Sequence, residues 1–183
     1  MKTREDALNL LNEWVNSESL KRHCLSVASC MESYADKLDD DKDLYWITGL
    51  LHDFDYEKFP DINLHPIKGC EELRKQEYPE DMIVAILGHN EATGIKRYDR
   101  MAKVLFAVDE LSGLVYALAK VRGDNFEGMT PESVKKAMNK KDFAAKINRE
   151  DIKKGIEELG VDEEEHFQLV IDSLTKIKRE LGF

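Results

Sequence analysis

The 183-residue chain is long enough for one domain and, at 42% hydrophobic residues, can build a real core, which excludes a disordered polypeptide. Its formal charge of −10 disfavours generic binding to nucleic acid or to an anionic membrane. A phosphate-bearing ligand would then need metals or a local basic cluster to hold it.

The start, Met1-Lys2-Thr3-Arg4-Glu5-Asp6, leads straight into an amphipathic pattern, so no signal peptide is expected. Leu8, Leu11 and Val15 mark a first helix, and a second begins near Asn16 or Ser17 with the stripe Leu20, Cys24, Val27, Met31, Tyr34 and Leu38. His23 lies beside that stripe. Asp39-Asp40-Asp41 reads as a turn and cap before a third apolar face (Leu44, Ile47, Leu51, Phe54), with His52-Asp53 at the helix end. Residues 55–63 read as a loop, and His65-Pro66 as a helix entry with Pro66 in the first turn. Tyr78-Pro79-Glu80 starts a helix that leads to Gly88-His89, and 90–98 is again loop-like. A long buried helix spans about Met101 to Val121. Asp109, Glu110 and Lys120 interrupt its apolar run, which argues against a membrane span. Thr130-Pro131-Glu132 and Asn148 start two further helices, Gly160 stops the second of them, and a last one runs from about Asp162 to Leu181. The fold class is all-α. Cys24, Cys30 and Cys70 form no CxxC pair and suit free, buried thiols in a reducing cytoplasm.

Four of the five histidines lie between residues 23 and 89, each near a predicted helix end or beside an apolar stripe. One such histidine is ordinarily a satisfied core residue; four converging with acids would make a site. The His52-Asp53 pair offers an imidazole and a carboxylate, a natural ligand set. Neighbours on a helix point about 100° apart, so both serve one site only over a helix end or when shared by two metals. Asp109 sits in Leu105-Phe106-Ala107-Val108-Asp109, on a helix apolar nearly all round. An unpaired carboxylate there is costly, and the next turn offers only Ser112 and Gly113, so a metal is the economical partner.

The ordered set His23, His52-Asp53 and Asp109 comes with the words Gly49-Leu50-Leu51-His52-Asp53 and Phe106-Ala107-Val108-Asp109-Glu110-Leu111. It resembles the HD-domain superfamily of metal-dependent phosphohydrolases over about residues 20–120. The resemblance implies a single compact HD-type helical bundle over residues 1–123, with 124–183 as a C-terminal helical extension packed on it. It implies that His23, His52, Asp53 and Asp109 hold one metal. In two-metal members a second ion lies on two further histidines, here His65 and His89, with Asp53 as the bridge; a single-metal arrangement would leave both histidines free. Many members follow the pair with a small apolar residue, Gly and Lys. Here Phe54-Asp55-Tyr56 stands instead and displaces the basic residue to Lys58.

Asp53 would orient the attacking water, and Asp55, Glu91 or Glu110 would fix a ligand histidine or accept a proton. Lys58, Lys68 and Arg97 are the candidate contacts to substrate phosphate. A nitrogen and oxygen set without thiolate suits a divalent transition metal, Fe or Mn first, with Zn, Co or Ni also acceptable, and two ions are expected. The expected activity is hydrolysis of a nucleotide or other small phosphate ester, the nucleotide resting on the resemblance alone. The alternative is a non-catalytic HD-type module that binds a nucleotide or protein and keeps the metal for structure. The segment from residue 124 offers no ligand. His166, after Glu163-Glu164-Glu165, is expected to face solvent, as is the basic patch Lys135, Lys136, Lys140 and Lys141, whose alternative is a substrate clamp leaning over the site. No membrane partner is expected, and the oligomeric state is left open.

Overall fold

The computed structural model describes residues 2–183. Its helix boundaries follow local chemistry. Thr3 and Asp6 close a capping box over α1 (Arg4–Trp14), Ser17 caps α2 (Glu18–Leu38), and Asp41 accepts from two amides at the start of α3 (Lys42–Leu51). Helices α4 (Ile67–Lys75) and α5 (Glu80–His89) each follow a proline, and Asp99 caps α6 (Arg100–Val121). Pro66, expected in the first turn of α4, stands one residue before it. A 3-10 turn, Glu91–Thr93, occupies part of the stretch expected to be loop. Thr130, Asn148 and Asp162 cap α7 (Pro131–Met138), α8 (Arg149–Leu159) and α9 (Glu163–Lys176), and Gly160, at φ 69°, ends α8 in the left-handed region. The described residues contain no strand, so the fold is all-α. None of their helices is long and apolar enough to cross a membrane.

Helix α6 is the hub: it touches α2, α3, α5, α7, α8 and α9. Val104, Leu105, Ala107, Val108, Leu111 and Leu114 are wholly buried around it. Ile152 of α8 and Phe167, Val170 and Leu174 of α9 belong to the same continuous core. Two glycines allow close helix approach beside the candidate site. A Cβ at Gly49 would lie 2.8 Å from the Ala28 Cα of α2, and one at Gly155 only 2.6 Å from the Ala107 Cα of α6. Gly49 thus seats α3 on the helix that carries His23, and Gly155 seats α8 on the helix that carries Asp109.

His166 does not face solvent. The acids before it point outward at the start of α9, while His166, Phe167, Val170 and Ile171 share the inner face. Its Nε2–H donates to the Ala107 carbonyl at 3.1 Å and its Nδ1 accepts from the Tyr34 hydroxyl at 2.5 Å. Both ring nitrogens are therefore satisfied by the neutral tautomer. Burial pushes the imidazole down to about 4 from 6.5. Cys24, Cys30 and Cys70 are buried and free.

Two outcomes follow from this packing. Between about pH 6.5 and 4 the unfolded chain binds a proton at His166 that the folded state refuses, so this contribution is full above pH 6.5 and falls with acidification. It amounts to about 3 kcal/mol across that window. Urea unfolding at pH 7 and pH 5 should show a smaller acid loss for His166→Gln, which keeps one donor and one acceptor without titrating. Gly155→Ala should cost about 1–3 kcal/mol by urea unfolding, because the new methyl meets backbone and not a yielding side chain.

Candidate metal centre

Five chain segments deliver six donors to one place. His23 projects from α2, His52 is the C-cap of α3 with Asp53 next, His65 precedes α4, His89 ends α5, and Asp109 projects from the middle of α6. His52 and His89 are aimed in the same way. Carbonyls in the last turn of a helix lack intrahelical partners. His52 Nδ1–H donates to Gly49 O at 2.8 Å and His89 Nδ1–H to Ile86 O at 2.5 Å, each three residues back. His65 is aimed by Asp55, whose Oδ1 accepts from Nδ1 at 2.7 Å while its Oδ2 accepts from the Gly69 amide at 2.7 Å. Asn90 braces the same segment by donating to the carbonyls of Ile62 and His65 at 3.1 and 2.6 Å.

With Nδ1 engaged, the Nε2 atoms turn inward. His23 Nε2 and His52 Nε2 lie 3.1 Å apart, and His65 Nε2 and His89 Nε2 3.2 Å apart. Neutral rings donating through Nδ1 carry only a lone pair at Nε2, so the His65–His89 contact calls for an added proton on one ring or a cation between them. The donors form two groups, His23, His52 and Asp109, and Asp53, His65 and His89, each with its ligand atoms mutually within 4.8 Å. Asp109 Oδ1 is 3.0 Å from His23 Nε2 and 3.5 Å from His52 Nε2. Asp53 spans both groups: Oδ1 lies 3.1 Å from His65 Nε2, 3.3 Å from His89 Nε2 and 3.5 Å from His52 Nε2, and Oδ2 lies 3.6 Å from His23 Nε2. Imidazole nitrogens and carboxylate oxygens converging in this way fit one or two divalent transition metals.

The electrostatics point the same way. Burial opposes charge on His52, yet Asp53 and Asp109 overcome it and lift the ring to about 9. Burial likewise opposes charge on His65, and Asp53 and Asp55 lift it to about 9. Burial works against ionisation of the two carboxylates, and the charge of His52 leads the effects that hold both below their usual range. The centre demands positive charge. Protons supply it only until a cation displaces them.

Five of the six donors, all but the wholly buried His52, floor a cavity of about 510 Å³ whose walls include Tyr56, Ile62, Phe106 and Ile147. Among the residues expected to act on substrate, the placements differ. Asp55 is wholly buried behind His65. Glu91 lines the cavity but is paired with Arg97 at 3.2 Å and with Lys154, and the Lys154 bond leads the effects that lower its carboxyl. Lys58, Lys68 and Arg97 do not line it. The Lys58 ammonium sits 3.8 Å from the centroid of the Trp14 ring, and Lys68 pairs with Glu71 at 2.9 Å. Arg97 is bound to Glu158 at 2.7 Å and to Gly88 O at 2.7 Å, with its guanidinium on the Phe106 ring. The basic patch on α7 is equally distant in role: Lys135 pairs with Glu163 and Lys136 with Glu132.

The C-terminal segment, in which no metal ligand is expected, contributes to neither donor group but supplies Ile147, Asn148 and Asp151 to the cavity wall. Their sequence signal is only the Asn148 cap. What brings them to Asp109 is the close seating of α8 on α6. Burial, followed by the charge of Asp109, raises Glu110 to about 7, and a cation entering the cavity would pull it back down.

The family model of the HD domain matches residues 20–114. The chain belongs to the HD-domain family. Membership of this superfamily of metal-dependent phosphohydrolases agrees with the two donor groups, which could bind metal. Comparison with curated proteins and comparison with solved structures return no match.

If Asp55 holds His65 in its ligand orientation, Asp55→Ala should weaken Mn²⁺ or Zn²⁺ binding roughly ten- to a hundredfold by calorimetric titration. Asp55→Asn, which keeps an acceptor for Nδ1, should recover part of the loss.

Proposed function

We propose that this HD-domain protein is a metal-dependent phosphohydrolase acting on a small phosphate ester, with nucleotides among the candidate substrates. The observation that carries the reading is the position of Asp53, one carboxylate within 3.1–3.6 Å of all four inward-facing histidine nitrogens. A carboxylate so placed could be shared by two ions, which His23, His52 and Asp109 on one side and His65 and His89 on the other would hold. Fe or Mn is favoured for a nitrogen and oxygen set without thiolate, and Zn, Co or Ni would also be accepted. Bound divalent ions supply Lewis acidity, acidifying water and neutralising phosphoryl oxygens.

The protein side of the mechanism is positioning. Asp55 and the helix-end carbonyls hold three rings in one tautomer, so no reorganisation accompanies the reaction. Asp53, lying between the two donor groups, would orient the nucleophilic water. Phe106, Ile62 and Ile147 exclude bulk water from the reacting centre while the cavity mouth admits an ester. Asp55 acts through His65 and is a positioning residue. Glu91, tethered by two cations, shapes the wall.

Purified protein loaded with Mn²⁺ or Fe²⁺ should release phosphate from an aryl phosphate panel, and Asp53→Ala should abolish release. Elemental analysis should find two equivalents of metal in the wild type and one in His89→Ala. Two bound equivalents without turnover on aryl phosphates, bis-aryl phosphates or nucleotides would reject hydrolysis and favour a binding module that keeps metal for structure.

A further inference from the structure

Opposite signs of charge divide this part of the molecule. Among the described residues no lysine or arginine lines the metal cavity. Nearby cations are already engaged: Arg97 with Glu158, Glu91 and a carbonyl, Lys154 with Glu91, and Lys58 on Trp14. Lys96 and Lys103 line a separate hollow, and Glu91, which lines both, forms the common wall.

Three carboxylates besides Asp53 and Asp109 face the cavity: Glu91, Glu110 and Asp151. Glu91 is neutralised by its two cations. Glu110 and Asp151 form no salt bridge among the described residues. They come from different helices, α6 and α8, and Asn148 ties them together. Its backbone amide donates to Glu110 Oε2 at 3.2 Å and its side-chain amide to Asp151 Oδ2 at 2.7 Å. Each carboxylate keeps its other oxygen without a protein donor. An acid in the first turn of α8 suits the helix dipole, which alone would explain Asp151. It does not explain Glu110 facing the same space, nor the missing cations.

The floor sets the rest. Two divalent ions against Asp53 and Asp109 would leave a charge of about +2, which one phosphate dianion cancels. A second phosphate would meet Glu110 and Asp151 with nothing to offset the repulsion; an ammonium there would find two free acceptors. Resting on the metal-centre reading above, we infer that the substrate is a phosphate monoester whose organic part carries an ammonium group, recognised by Glu110 and Asp151. Polyphosphorylated nucleotides are thereby disfavoured.

The test uses binding, not turnover. ω-Aminoalkyl phosphonates of graded chain length cannot be hydrolysed at phosphorus, and each has an uncharged isostere with methyl in place of ammonium. On Mn²⁺-loaded protein of measured metal content, calorimetry should show at least one amine binding about tenfold tighter than its isostere. That ratio should shrink toward one in Glu110→Gln and in Asp151→Asn, while pyrophosphate, weak on the wild type, should bind better to either variant. Using both variants keeps the test open if one fails to fold. Equal binding of every amine and its isostere, with two metals present and phosphonate bound, would overturn the ammonium assignment and leave the metal centre standing. Absence of both metal and phosphonate binding would overturn the two readings together.

Discussion

Everything in the site depends on the far nitrogens of its imidazoles being engaged. His52 and His89 give their Nδ1 protons to carbonyls left over at helix ends, and His65 gives its proton to a buried carboxylate. The near nitrogens are then fixed and, in the neutral rings, present lone pairs crowded at about the separation of a hydrogen bond. Such an arrangement is unfavourable unless positive charge occupies the middle. Asp53 and Asp109 state the same demand in carboxylate form. The protein core, through α6 and the helices it gathers, holds these like-charged and like-dipole groups close enough to bind a cation cooperatively.

The histidine and aspartate donors are legible in the sequence because each occupies a position with few alternative explanations. A carboxylate inside an apolar helix needs a partner, and a His-Asp pair at a helix end can aim both groups one way. Charged side chains are harder to read. Lys58, Lys68 and Arg97 are close in sequence to donors, but proximity along the chain does not give direction, and each side chain finds a nearer partner in Trp14, Glu71 or Glu158. His166 was misjudged from the acids before it, although the spacing to Val170 and Ile171 already placed it on the inner face. The contribution of Asn148 and Asp151 was not legible at all. It depends on a contact between α6 and α8 that a glycine permits and no local pattern announces.

The departure at Phe54-Asp55-Tyr56 also gains a physical account. Phe54 packs on Trp14, with ring centroids 4.9 Å apart, and Glu57 accepts from the amides of Asn16 and Ser17, so the segment is pinned to the end of α1. Asp55 is thereby carried inward to His65. Asp55 stands where the pattern of many family members has Gly, and its carboxylate is what meets His65 Nδ1 and the Gly69 amide. The overall acidity of the chain and the acidity of the cavity then have a common consequence: among the described residues no lysine or arginine lining the cavity supplies positive charge to this centre.

The stretch matched by the family ends at residue 114, whereas Asn148 and Asp151 lie beyond it on a helix locked to α6 through Gly155. The donor set thus lies wholly inside the matched stretch, whereas part of the cavity wall lies outside it. Substitutions in the C-terminal helices can redirect what enters the cavity while the donor set is left untouched, so relatives with an identical set of histidines need not share a substrate.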